Sequence, residues 1–225
     1  MAVRTDVRQQ RIHHRTRRSG GRWRWPESWS WTARPAIPSY ASCAPAAWVD
    51  NDHRATTRQV LDHLADQGAR RIALMAGPGD EHYTRSCLAA YLRWCTEHDS
   101  EPCTIPLTAE DEEGRLLDPL LSGPRRPDGI YGIYDPCGRQ VLASAARCGS
   151  RVPDDLLVVC ASEDPAYAVA EPPLSTVSLA PKDTVALAVS ALVDLIERPQ
   201  HRPEPVIVPA RLQIRASSTR MPVQG

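Results

Sequence analysis

Phenylalanine is absent from these 225 residues, and lysine occurs once, at Lys182. Arginine supplies the rest of the 27 basic side chains, a skew that reads as GC-rich coding bias rather than as a functional signature. No apolar run reaches the roughly 18 residues a membrane span needs, which excludes a spanning helix. Neither sign of charge is in excess, since 27 acidic residues balance the 27 basic ones. No global field therefore argues for a nucleic-acid or membrane partner. The seven cysteines are odd in number and none stands in C-x-x-C spacing, which fits reduced thiols in a cytosol better than a disulfide framework. The arginine-rich start has no hydrophobic segment and is not a secretory signal. "GPGDEH" lacks the length and the lysine of a phosphate loop. There is no G-x-S-x-G elbow, so nothing argues for an enzyme, and no cofactor is expected. His82, Cys95 and His98 share a helical stretch without a fourth ligand at matching spacing, so no metal site is expected.

What is present falls into two regimes, with the boundary near Trp48. Residues 1–35 hold nine arginines against Asp6 and Glu27. "RIHHRTRRSGGRWRWPESWSWTARP" carries four tryptophans in nine residues, yet no apolar stripe emerges to bury them. Two readings stand: a basic, aromatic nucleic-acid arm, or a solvated leader, including translated sequence never selected to fold. The second is preferred. The expected organisation is a disordered or non-native leader over 1–47, one domain over 48–218 and a tail over 219–225.

From Val49 the pattern becomes regular. Asn51 or Asp52 caps a helix whose Thr57, Val60, Leu61 and Leu64 share one face, and Gly68 closes it. "RIALMA", 71–76, is a short buried strand. Cys87, Leu88, Tyr91, Leu92 and Cys95 follow at helical spacing. "CTIPL" reads as a strand and "EDEEGRLLDPLL" as a helix with acids in its first turn. "PDGIYGI" is the next strand, running into Asp135-Pro136 as N-cap and first helical residue. Gly149 ends that helix. "VPDDLLVVCAS" is a strand again, "PPLSTV" leads to a helix over 183–197, and "PVIVPARLQI" gives a last strand. Strands alternating with helices imply βαβ units and an open parallel sheet with helices on both faces. Ligands of such sheets sit at the carboxyl ends of the strands, here Gly77, Tyr134 and Ala161.

Several stretches resemble the effector-binding core of the lactose-repressor/galactose-repressor (LacI/GalR) family of bacterial transcription regulators. "VDNDHRATTRQVLDHLADQGARRIALMAGPGDEHYTRSCLAAYL" is the longest such stretch. "PDGIYGIYDPCGRQVLASAARCGSRVPDDLLVVCASED" looks like the family's Asn-Asp helix start, Gly-x-x-Val-Pro turn and following strand. "EPPLSTV" resembles its Pro-Pro-Leu-Thr-Thr-Val segment, and "LQIRASS" its Arg-x-Ser ending. The likeness runs from about 49 to 218. It implies a type I periplasmic-binding-protein-like fold of two α/β subdomains, a small effector such as a sugar held between them, a homodimer, and a helix-turn-helix that reads operator DNA. The 47 residues before the likeness show no helix-turn-helix pattern, so the expectation is mainly the C-terminal subdomain with an incomplete N-terminal one. A free-standing sugar-binding protein of related fold is the alternative; absent export signal and free thiols argue against it.

The same resemblance points to effector contacts at Arg85, Cys87, Tyr134, Asp135, Ser162 and Glu163. The usual sugar-binding arginine falls on Cys87, the usual asparagine on Tyr134 and the usual aspartate on Ser162. Cysteine and serine lack the charge-assisted grip of arginine and aspartate. Either the effector is not a typical sugar or the cleft has lost its hold. Read without the resemblance, Asp135 is a helix cap, Cys87 a small buried thiol on an apolar stripe, and Arg85 a surface arginine. Finally, "DTVALAVSALVDLI" is apolar nearly all round, broken only by Ser190 and Asp194 after its start. Such a helix expects burial on all sides. In the family it packs within the first subdomain, so Val185, Val189, Leu192 and Ile196 are expected to form an exposed apolar patch.

Overall fold

Side chains alternate across a strand, so a sheet buried on both faces needs apolar residues at consecutive positions. β2 (Ile72–Ala76), β4 (Gly129–Gly132) and β5 (Leu157–Ala161) have that composition. The computed structural model of the protein describes residues 48–77, 79, 81–107, 113–201 and 204–220. The expected leader, 1–47, lies outside the described residues, as does the tail beyond 220. β2, β4 and β5 lie side by side in a six-stranded sheet of order β3-β2-β4-β5-β6-β8. β3 is Cys103–Pro106, β6 is Ser175–Ser178 and β8 is Arg211–Gln213. All pairs are parallel except the edge pair β6–β8.

Ile72, Leu74, Tyr131, Leu157 and Val159 point to one face, under α1 (His53–Asp66) and α2 (His82–Glu97). Ala73, Met75, Ile130, Val158 and Cys160 point to the other, under α3 (Glu113–Ser122) and α4 (Asp135–Arg147). Helices on both faces are thus observed. Asp52 caps α1 as expected, its side chain accepting from the Ala55 amide at 2.9 Å. α1 and α4 both end in a left-handed glycine, Gly68 (φ +87°) and Gly149 (φ +67°). Each is followed by an amide that reaches back five residues, Ala69 to Leu64 and Ser150 to Ala145. This is the glycine-terminated helix stop that the sequence spelled.

Three readings need correction. "PPLSTV" contains a strand, β6, which runs to Ser178 before α5 begins at Pro181. "PVIVPARLQI" is not one strand. It breaks at Pro209-Ala210 into β7 (Val206–Val208) and β8, which belong to different sheets. β7 pairs in parallel with a strand the pattern did not show, β1 (Val49–Asn51). Three residues carry too little periodicity to register.

The two-stranded sheet and α5 (Pro181–Glu197) form a smaller layer, joined to the six-stranded sheet by three crossings: β1 to α1, β6 to α5, and β7 to β8. One side chain ties all three. Asn51 is buried, and its Nδ2 donates to the carbonyls of Val208 (2.8 Å) and Leu179 (3.0 Å). Asn51→Ala deletes both bonds and should cost about 1–3 kcal/mol. Hydrogen exchange should show β1 and β7 losing protection before β2 and β5; equal loss in both sheets would sink the claim.

The C-terminal "IRASS" is a clip. Ser217 Oγ donates to the Val158 carbonyl (2.7 Å), and Arg215 donates to the Leu174 carbonyl (2.7 Å) and Thr176 Oγ1 (2.8 Å). Ser218 Oγ lies 2.8 Å from His63 Nε2 on α1. Burial holds the His63 imidazole below its ordinary value of 6.5, against an opposing pull from the Ser218 contact. Folding therefore favours the neutral ring. This contribution is complete above pH 6.5 and is lost as the pH falls below it. Urea midpoints taken from about pH 8 to about pH 5 should fall, and fall less in His63→Gln.

α5 meets the expectation of an exposed apolar surface. None of its residues is buried, and Val185, Val189, Leu192 and Ile196 are 61%, 53%, 57% and 69% exposed.

Candidate functional site

Parallel strands all end on one side of a sheet, and the turns that follow β4, β5 and β6 converge there. They enclose an open cavity of about 720 Å³. Its floor is Ile133 and Tyr134 after β4, Ala161 at the end of β5, and Val177 and Leu179 on and after β6. Tyr83, in the first turn of α2, forms one wall. Asp135, Ser162, Glu163 and Asp164 form the other, and Pro181 closes the rim. Gly77, just past β2, abuts this floor: a Cβ there would lie 2.9 Å from the Tyr134 ring.

The polar groups are held tightly. Ser162 Oγ donates to the Asp135 carboxylate and accepts from the Asp164 amide at 2.9 Å. Arg139 pairs with Asp135 (2.6 Å) and Asp164 (3.0 Å). Glu163 accepts from Ser178 Oγ (2.8 Å) and from the Leu179 amide (2.9 Å). The Tyr83 hydroxyl donates to the Ile133 carbonyl (2.6 Å), and burial pushes its phenol far above the ordinary range. The Tyr83 and Tyr134 rings meet edge to face, with centroids 5.6 Å apart. The structure thus offers preformed carboxylates, an aromatic pair and an apolar floor.

The site residues expected from the resemblance separate into two sets. Tyr134, Asp135, Ser162 and Glu163 line the cavity together. Arg85 and Cys87 are not among its lining residues. Arg85 is exposed on α2, while Cys87 is buried in the core beneath that helix, where burial lifts its thiol to about 11. Burial likewise lifts Cys137 to about 11, and Cys160 accordingly sits well above its ordinary range. These thiols stay protonated and are poor nucleophiles. Asp135 is not a cap: Tyr134 occupies that position, and Asp135 opens α4, its carboxylate engaged by Arg139 and Ser162. The sequence did not single out Tyr83, Ile133, Asp164, Val177, Leu179 or Pro181, although Ile133 and Asp164 directly adjoin Tyr134 and Glu163. Tyr83 was within reach, since it lies one helical turn before Cys87 on the same stripe. Val177, Leu179 and Pro181 depend on β6, which was not recognised.

An open, mostly parallel α/β sheet with a ligand-sized cleft at its strand ends defines a small-molecule binding module. The family model described as a periplasmic binding protein-like domain matches residues 61–218, and the chain belongs to that family. Among curated relatives, the HTH-type transcriptional regulator CelR of Thermobifida fusca is 27% identical over 179 residues, covering 76% of this chain and 52% of that protein. The ribose operon repressor of Halalkalibacterium halodurans is 25% identical over 173 residues, covering 76% and 52%. A LacI-family regulatory protein from Chloroflexus aggregans superposes with a TM-score of 0.70 at 26% identity, covering 76% of this chain and 63% of that one. The chain spans about half the length of the curated relatives it matches and corresponds to the effector-binding part of LacI/GalR regulators.

Proposed function

We propose that this chain is the ligand-sensing part of a LacI/GalR-type transcription regulator, working in the cytoplasm as a homodimer. A small molecule enters the cleft and contacts Tyr134, Asp135, Ser162 and Glu163. Operator DNA is met only through a helix-turn-helix of the kind the relatives' names carry. The ligand acts by its differential affinity for two arrangements of the subdomains, and that difference sets the DNA affinity. The observation that carries this reading is the position of the cleft: the carboxyl ends of three adjacent strands feed one cavity. Thermal unfolding across a panel of neutral, cationic and anionic small molecules tests it. A true ligand at a hundred times its dissociation constant adds about 2.7 kcal/mol. A panel that leaves the melting temperature flat counts against a working cleft.

A further inference from the structure

We infer that the cleft selects a small organic ammonium ion with an aromatic or aliphatic body, in preference to an anion or a polyol. This rests on the cleft being the ligand site. The first argument is charge. Three carboxylates, Asp135, Glu163 and Asp164, line the cavity, and among the described residues no arginine, lysine or histidine does. Arg85, Arg139 and Lys182, the arginine and lysine residues nearest in the chain to the lining, stand outside it. Arg139 is shared between Asp135 and Asp164. Glu163 is oriented by neutral donors, a hydroxyl and an amide, which fix the carboxylate without cancelling its charge. The wall is therefore net negative, and it repels an anion.

The second argument is the count of donors. Every side-chain hydroxyl in the lining is committed. Tyr83 donates to the Ile133 carbonyl, Ser162 donates to Asp135, and Tyr134 lies 2.6 Å from Thr84 Oγ1, which itself reaches Glu81 at 3.4 Å. Carboxylates only accept. These walls thus offer carboxylate acceptors, while their own hydroxyls are already engaged in internal hydrogen bonds. An ammonium group brings three donors and no acceptor, which matches. A polyol brings as many acceptors as donors, and the walls leave those acceptors to water. The third argument is the body of the ligand. Tyr83, Tyr134, Ile133, Val177 and Leu179 supply aromatic rings and methyl groups beside the carboxylates. Ring faces attract a cation and accept an aryl or alkyl group by burial.

Calorimetric titration of the full chain with three probes tests this: tyramine, 4-hydroxyphenylacetate and cellobiose. The first two share a ring and differ in the sign of their charge. Tyramine should bind, with affinity falling at least tenfold in Glu163→Gln and falling with added salt. The other two should bind at least tenfold more weakly than tyramine. If Glu163→Gln does not fold, the salt dependence of the unaltered chain decides: tyramine affinity that ignores salt overturns the inference. So does tyramine binding that is unchanged in a folded Glu163→Gln. Binding of 4-hydroxyphenylacetate or cellobiose as tight as that of tyramine overturns it while leaving the cleft a ligand site. Binding of none of the three removes both readings.

Discussion

Gly132→Ala should unfold the protein in urea at a much lower midpoint, with a loss of about 3 kcal/mol or more. A Cβ at Gly132, the last residue of β4, would lie 2.3 Å from the Cys137 Cβ. Carbon atoms rest at about 3.5–4.0 Å, so strand and helix must part by more than 1 Å. Cys137 cannot swing away, because its Cβ is fixed to the first turn of α4 and its side chain is fully buried between α4 and the sheet. α4 also carries Asp135 and follows Tyr134, so the same displacement opens the cleft and should abolish ligand binding. Gly149→Ala is the control. Nothing lies within 4 Å of a Cβ there, and only the left-handed φ of +67° is strained. Its cost should stay near 1–2 kcal/mol, with binding retained. Equal midpoints for Gly132→Ala and the unaltered chain would show that β4 and α4 are not packed as described.

The unaltered chain should associate through α5, and replacing Val189, Leu192 and Ile196 together by glutamine should leave a single species of 24.9 kDa. These residues sit on one ridge of α5 and are more than half exposed. Within the described residues α5 packs only lightly, against β1 and β7. Burying each such side chain on association is worth about 1.5–3 kcal/mol. After the costs of association, the triple variant should dissociate at least a hundredfold more readily, about 2.7 kcal/mol. Sedimentation of the unaltered chain over a dilution series should show the larger species declining. Its melting temperature at high dilution should match that of the variant, since exposed positions contribute little to the fold. A chain that stays monomeric at the highest concentration contradicts the claim.

Much of the larger layer was legible because its physical signals are local. Gly68 and Gly149 marked helix ends, since a left-handed residue stops a helix wherever it occurs. The apolar runs at 72–76 and 157–161 marked strands buried on both faces. The four cleft residues that the resemblance grouped, Tyr134, Asp135, Ser162 and Glu163, follow two such strands, and so their convergence was foreseeable. The smaller layer was not. β1 and β7 are three residues each and are separated by more than 150 positions. Asp135 was misjudged because Asp before Pro is the ordinary spelling of a helix cap. The partners that redirect its carboxylate, Arg139 and Ser162, lie 4 and 27 residues away.

By itself, then, the sequence determined most elements of the larger layer, their helix stops and the surplus apolar surface of α5, because period and punctuation depend on neighbours along the chain. Only the tertiary structure decided that β7 and β8 serve different sheets, that Asn51 joins three crossings, and that Cys87 is core while Glu163 is cleft. Those outcomes depend on which distant segments share a boundary, and contact between distant segments leaves no periodic trace in either of them.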